Sequence, residues 1–474
     1  MIQIFRIIFI FPLTLILNLL FYTIQQSTWF RIMTKSEVLR IAQQERVQFL
    51  RMQFTDILGQ IKNVEIPSPQ FSIALDSQVL FDGSSIEGFS RTKELDMILV
   101  PDYNSFRVFP WSEDKGENKI ASIICDIHYP DGREFEGCPR LALKRIVNAC
   151  RKLELDYQAG SEVEFFLFRR KSDGSATLST HDSAGYFDLT PDDVGEATRR
   201  NIVKALETMN FKVESSHHEV AQGQHEIDFI RVDAVTAADY ISSCKFVVRK
   251  IAGEFGLHAT FMPKPQFNQY GSGLHLHQVL TKDGKNMFYD PGNKFKLSDT
   301  ALHFIGGQLE HAMGYCAITN PLINSYKRLV PGSEAPIFVS WAEQNVSPLL
   351  RVPDQREENT RVELRLPDPT CNPYLALAAV LQAGLDGIKH HINPGLPVNK
   401  DVFLMSQRGR SRLKVSRLPK DLNEALIQLK KDKIIHAAIG DYIYNHFITA
   451  KQAEWNSYIS QIHPWEIEHY FTYY

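Results

Sequence analysis

One short run limits this chain more than any other: residues 159–168, Ala-Gly-Ser-Glu-Val-Glu-Phe-Phe-Leu-Phe. Its aromatic and aliphatic content, with no proline after Gly160, predicts a β-strand. Side chains alternate along a strand, so Glu162 and Glu164 share a face with Phe166 and Phe168, and Val163, Phe165 and Leu167 take the other. Neither face reads as plain solvent. Two ionised carboxylates beside buried rings are costly unless a cation neutralises them. Either the pair lies at the wet end of its strand, or the rest of the chain supplies further ligands around a cation.

The remainder of the 474 residues has room for two to four domains and a large core. A formal net charge of -3 carries no polyanion-binding footprint, which leaves nucleic acid out as a direct partner. The six cysteines show no Cys-x-x-Cys spacing, which argues against a thiolate zinc centre and for a reduced, cytoplasmic protein. Residues 4–22 disagree, being apolar apart from Arg6, Pro12, Thr14 and Asn18, and read literally as an anchor or signal-like segment. Met33 follows, and Thr34-Lys35-Ser36-Glu37 opens an ordinary capped helix. We therefore expect Met33 to be the native start, residues 1–32 to be an apolar extension from a mis-assigned start, and the protein to have no membrane role.

From there the chain reads as α+β. A helix over 36–44 precedes strands at 47–55 and 60–66 around Asp56-Ile57-Leu58-Gly59. Phe81-Asp82-Gly83-Ser84-Ser85-Ile86 reads as a polar loop, with strands after it at 97–100 and 120–127. Gly137-Cys138-Pro139 marks a boundary near residue 138, dividing a small strand-rich domain (33–137) from a larger one (138–474). The larger part opens with a helix over 139–153, passes through the Glu-x-Glu strand and a polar loop at 169–180, and continues with a helix over 191–209. Antiparallel-looking hairpins follow, and 373–458 is mostly helical.

Further ligands are available. If Gln222-Gly223 is a two-residue turn, Glu219 and Glu226 oppose each other and repel unless something positive lies between them. His275 and His277 share one strand face, and Arg361 and Arg365 flank Glu363 on another. Arg328, Arg351 and Arg356 add forked donors suited to phosphate or carboxylate. Several carboxylates with one or two histidines suit Mg2+ or Mn2+ rather than zinc, and the arginines suit polyphosphate. The chemistry implied is phosphoryl transfer.

These residues fall in motifs. Phe81-Asp82-Gly83-Ser84-Ser85-Ile86, Glu162-x-Glu164, the run from His217 to Glu226, Asn324-Ser325-Tyr326-Lys327-Arg328-Leu329-Val330-Pro331-Gly332 and the run from Arg361 to Pro369 occur in one order. From Met33 onward the chain resembles bacterial type I glutamine synthetase. The resemblance implies a β-grasp-like N-terminal domain, a catalytic domain with a curved, largely antiparallel sheet, and a homo-dodecamer of stacked hexameric rings whose active sites are shared between neighbours. It implies ATP-dependent ligation of ammonia to L-glutamate through γ-glutamyl phosphate, with at least two divalent ions per site. One ion would take Glu164, Glu219 and Glu226, and the other Glu162, His275 and Glu363. Asp82 of a neighbouring subunit would deprotonate ammonium, helped by Ser85, Tyr186, Glu219 and Glu334, the last on a flap over the acyl phosphate. Arg328, Arg351, Arg356 and Arg365 match positions for glutamate, phosphate or the transition state, with Gly271 on the substrate side. Glu214, His217 and His277 match the nucleotide side. Arg91 matches a position linked to feedback by glutamine, and no adenylylation insertion is present; a nitrogen-regulator protein is an implied partner.

The sequence departs from the family pattern at Gln266, Tyr270, Val279, Leu95, Ser161 and Gln222. Tyr270 removes an amide near glutamate and Val279 a hydroxyl on the nucleotide side. These changes keep two alternatives open: a γ-glutamyl ligase for another amine, and a catalytically impaired, glutamine-sensing homologue.

Overall fold

The computed structural model describes residues 32–87, 96–112, 118–190, 193–345 and 347–474; the apolar extension, Arg91 and Leu95 lie outside them. Helix α1 (Lys35–Gln44) begins with a capping box in which the Thr34 side chain accepts from the Glu37 amide and Glu37 returns the contact. It leads into the strands β1 (Val47–Thr55), β2 (Ile61–Pro67), β3 (Val79–Asp82), β4 (Asp96–Pro101), β5 (Arg107–Ser112) and β6 (Lys119–His128). These form one sheet in the order β2-β1-β6-β4-β3, with β5 also on β6. β1 and β6 pair in parallel, and the other pairs are antiparallel. The turn after β1 is closed by Asp56, whose side chain accepts the Gln60 amide at 2.8 Å. Gly59 sits at φ +86, where a Cβ would lie 3.0 Å from the Cα of Asn372, so this hairpin tip presses against the C-terminal half of the chain.

Helix α2 (Pro139–Arg151) starts the larger part, with proline at its first turn. Next comes β7 (Asp156–Arg170), the strand expected from the Glu-x-Glu run but longer at both ends. β8 (Ala176–Thr180), helix α3 (Val194–Thr208), β9 (Val213–His218), β10 (Gln224–Asp233), helix α4 (Ala234–Glu254) and β11 (Leu257–Thr260) follow. The sheet is completed by β12 (Leu274–Lys282), β13 (Lys285–Asn286), β14 (Trp341–Ala342), β15 (Leu350–Arg351) and β16 (Val362–Leu364). Its order is β14-β15-β16-β12-β7-β10-β9, with β8 and β11 also on β7 and β13 on β12. Only the short β14–β15 pair is parallel among these strands. On β7, Val163, Phe165 and Leu167 are buried in the main core, while Phe166 and Phe168 form a separate cluster with Ala221 and Tyr270 on the glutamate face. Helices α5 (Asp299–Glu310) and α6 (Pro373–His390) cross where Gly307 meets Gly387, a contact in which either Cβ would lie 2.1 Å from a backbone oxygen.

Four expectations need correction. The Phe81–Ile86 motif is not a plain loop: it spans the end of β3 and a 3-10 turn, Gly83–Glu87. Residues 169–180 form a hairpin because Asp173 accepts the Ser175 amide and Gly174 takes φ +81, which folds β8 back on β7. Helix α3 starts at Val194, where the Asp193 side chain caps it by accepting the Gly195 amide. The turn between β9 and β10 is longer than two residues: Gly223 takes φ +70 and the Glu219 amide donates to the Gln224 carbonyl. Glu226 therefore opposes His217, not Glu219. Among the described residues no helix is long and apolar enough to cross a membrane. All six cysteines are free and buried.

Candidate active site

The register of β7 sets the site. Glu162 lies opposite His275 of β12 on one side and Asp228 of β10 on the other, and Glu164 lies opposite Glu226. His277 of β12 in turn faces Glu363 of β16. Glu162 receives both imidazoles, at 2.7 Å from His275 Nδ1 and 2.6 Å from His277 Nε2. Glu363 is gripped by Arg351, at 2.9 Å, and by Arg365, at 2.5 Å. One ligand atom from each of Glu162, His275 and Glu363 falls within 4.8 Å of the others. A second trio with the same spacing is His217, Glu219 and Glu226. Glu164 stands between the two, its Oε2 accepting from Gln224 at 2.8 Å and from the Gly273 amide at 2.9 Å, its Oε1 3.8 Å from His275 Nε2.

The trios differ in charge. Burial would raise Glu162, but His277 and His275 hold it well below the usual carboxylate range. Burial opposes ionisation of Glu363 too, and Arg365 and His277 reverse that. Glu219 and Glu226 have no such relief. Burial, then the nearby Glu164 charge, pushes Glu219 up to about 8 and raises Glu226 well above normal. Two carboxylates and one imidazole in each trio, with Glu219 and Glu226 resisting ionisation together, fit a hard divalent cation.

Both trios line a cavity of about 640 Å³, with Tyr186, Tyr270, Gly271, Arg328, Glu334, Arg351 and Arg365 on its wall. Burial, then Glu219, pushes the Tyr186 hydroxyl up to about 12, and its ring stands edge-on to His217. A second cavity of about 400 Å³ is lined by Glu214, His277, Arg231 and Arg361. The two cavities share Glu162, Ser215 and Asp228 as a common wall. Neither is lined by Arg356, which is tied to Glu343 at 3.1 Å, nor by Asp82 and Ser85, which bond within their own turn.

The family profile described as the glutamine synthetase catalytic domain matches residues 136–470, and that of the glutamine synthetase beta-Grasp domain matches residues 46–130. The chain belongs to the glutamine synthetase family. A glutamine synthetase of Thermus thermophilus is 53% identical over 443 residues, covering 93% of this chain and 99% of that one. Those of Staphylococcus aureus and Clostridium saccharobutylicum are each 48% identical, with 94% and 93% of this chain and 99% of each relative covered. Among solved structures, the GmaS/ADP complex superposes with a TM-score of 0.82 at 32% identity, covering 92% of this chain and 99% of that one. Apo GmaS gives 0.81 at the same 32% identity, covering 91% and 99%.

As a glutamine synthetase family member, the chain brings Glu162, Glu164, Glu219, Glu226, Glu334 and Glu363 to one cavity, with Glu214 on the other. His217, which the resemblance put on the nucleotide side, lines this cavity and brings a ligand atom within 4.8 Å of those of Glu219 and Glu226. Asp228, Ser215 and Arg231 were missed. Gln224, Glu226 and Asp228 alternate on β10 as Glu162 and Glu164 do on β7, and that spacing was the available signal. Val279 is 1% exposed in the main core and lines neither cavity. Gln266 donates to the Leu178 carbonyl, away from both cavities.

Proposed function

We propose that the chain ligates ammonia to L-glutamate with ATP, through γ-glutamyl phosphate, releasing glutamine, ADP and phosphate. The observation that carries this is the shared wall: Glu162 belongs to a cation-suited trio and borders both cavities. Mg2+ or Mn2+ held by Glu162, His275 and Glu363, and by Glu219 and Glu226 with Glu164 alongside, would supply neutralisation of phosphate charge. The cavity with Arg231, Arg361, Glu214 and His277 is read as the nucleotide side for its guanidinium groups beside Glu162. Arg328 and Arg365 present guanidinium groups to glutamate in the other cavity, and Arg351 faces the transferred phosphate. Glu334, on the loop after Pro331-Gly332, closes over the intermediate and limits its hydrolysis.

Asp82 lines neither of these two cavities, which supports its acting, with Ser85, on ammonium bound by a neighbouring subunit in a homo-dodecamer. The division into domains at residue 138, a cytoplasmic location and feedback by glutamine through Arg91 complete this reading. The deciding experiment is a steady-state assay of phosphate release with ATP, glutamate and ammonium beside a panel of amines. Ammonium should give the highest kcat/KM. A higher value with an amine would identify a different γ-glutamyl ligase, for which Tyr270 on the cavity wall is the first residue to alter. No turnover with any of them would support the impaired sensor.

A further inference from the structure

Behind the turn that carries Glu219 lies a buried polar group that takes no part in the cavity. Asp182 sits between β8 and α3. Its Oδ1 accepts from the Gly223 amide at 3.0 Å and from the Ala184 amide at 3.2 Å, and lies 3.4 Å from His218 Nε2. His218 Nδ1 is 2.7 Å from the Glu219 carbonyl, which can only accept, so Nδ1 carries a proton and donates. Asp182 thus holds the far end of the turn directly, at Gly223, and packs against His218 at the near end. The Phe187 amide, donating to the His218 carbonyl at 3.1 Å, draws the same segment onto β9.

A chain of donors fixes the other side of Asp182. Arg199 lies 2.6 Å from His225 Nδ1, and a guanidinium has no acceptor, so Nδ1 accepts. The remaining proton of neutral His225 is on Nε2, 3.4 Å from His181 Nε2. His181 therefore carries its proton on Nδ1, 2.8 Å from Asp182 Oδ2 and 3.2 Å from Asp193 Oδ1. His181, Asp182, Asp193 and His225 have ligand atoms within 4.8 Å of one another, the spacing of a cation site. The proton order gives that cluster a different use, because both imidazoles already spend their lone pairs on neighbours.

We propose that Asp182 is a positioning residue for Glu219: by holding the Gly223 amide it fixes the turn and aims the Glu219 carboxylate at the cation site. The inference rests on the proposed cation site at Glu219 and Glu226. It is tested by Mn2+ titration of the whole assembled protein, read by electron paramagnetic resonance, with no nucleotide or substrate. The wild type should show two classes of site; if it binds no Mn2+, the cation-site reading fails instead. Asp182→Ala should weaken one class by about tenfold, as loss of a group that orients a ligand does, and leave the other within about twofold. Asp182→Asn keeps an Oδ1 acceptor for Gly223 and Ala184, while its amide nitrogen meets the His181 Nδ1 proton, and it should retain more of the affinity than Asp182→Ala. Wild-type affinity in Asp182→Ala, or equal loss in both classes alongside a lowered unfolding midpoint, overturns the proposal. If Asp182→Ala does not fold, Asp182→Ser against Asp182→Asn decides: weaker binding by Ser alone supports it, and equal binding overturns it.

Discussion

Glu226 and Asp82 are single carboxylates with separate expected tasks, and substitution should separate them. Glu226→Ala removes a member of the uncompensated trio, so Mn2+ affinity and phosphoryl transfer should fall together. Asp82→Ala should leave Mn2+ affinity near wild type and lower ammonia-dependent turnover by about 10²–10⁴-fold, the range for loss of a general base. Equal loss of metal affinity in the two variants, measured by titration beside the steady-state assay, would refute this division. Much of the site is legible at this scale because alternation needs only the local sequence: it puts Glu162 with Glu164, His275 with His277, and Glu363 with its arginines on shared strand faces, and these residues line the two cavities. Which residue stands opposite which depends on turn length. The β9–β10 turn is set by the backbone of Gly223 at φ +70 and by Asp182, forty-one positions away in sequence, and no local pattern contains that contact.

Elements were legible in proportion to their periodicity. β1 and α1 carry their own pattern and caps, whereas β3, β5 and β8 are short, and what makes them strands is the sheet edge they join. Helix packing was not legible at all, since the Gly307–Gly387 approach pairs positions with no sequence relation. Gly307→Ala would push a methyl against the Ala383 carbonyl and should destabilise by about 1–3 kcal/mol or more, read as a lower unfolding midpoint. His311, just after α5, joins Asp432 at 2.8 Å and Asp386 of α6 at 3.1 Å. Burial disfavours its charge, but Asp432 and then Asp386 raise its pKa above the usual histidine value. Its charged form is thus bound more tightly in the folded state. That stabilisation is complete below about pH 6.5, the unfolded value, and is lost as pH rises through the raised folded value. His311→Ala should therefore lower the unfolding midpoint more at pH 6 than at pH 9; an equal drop at both would show that packing alone is lost.

For the whole molecule, that Asp82 lines neither of the two cavities has an assembly-level consequence. Co-assembling Asp82→Ala subunits with Glu226→Ala subunits should restore ammonia-dependent activity, in about a quarter of sites on random mixing in a head-to-tail ring. Neither variant alone should approach that value, and a mixture no more active than its components would rule out shared sites.

Both halves of the chain also carry thiols that water does not reach. Cys125 lies in β6, Cys138 and Cys150 at the start and near the end of α2, and Cys244, Cys316 and Cys371 deeper in the larger part. Burial pushes Cys138 up to about 11 and Cys150, Cys244, Cys316 and Cys371 up to about 12, so each is poorly nucleophilic while enclosed. An alkylating reagent can thus reach each sulfur only when its surroundings come apart, and the chain holds six native clocks of local opening without any engineered probe. Mass spectrometry of partly alkylated protein would rank those openings, from the antiparallel β4–β6 pair at Cys125 to the turn before α6 at Cys371. Ligands that close the cavity should slow only the clocks whose neighbourhoods must open with it.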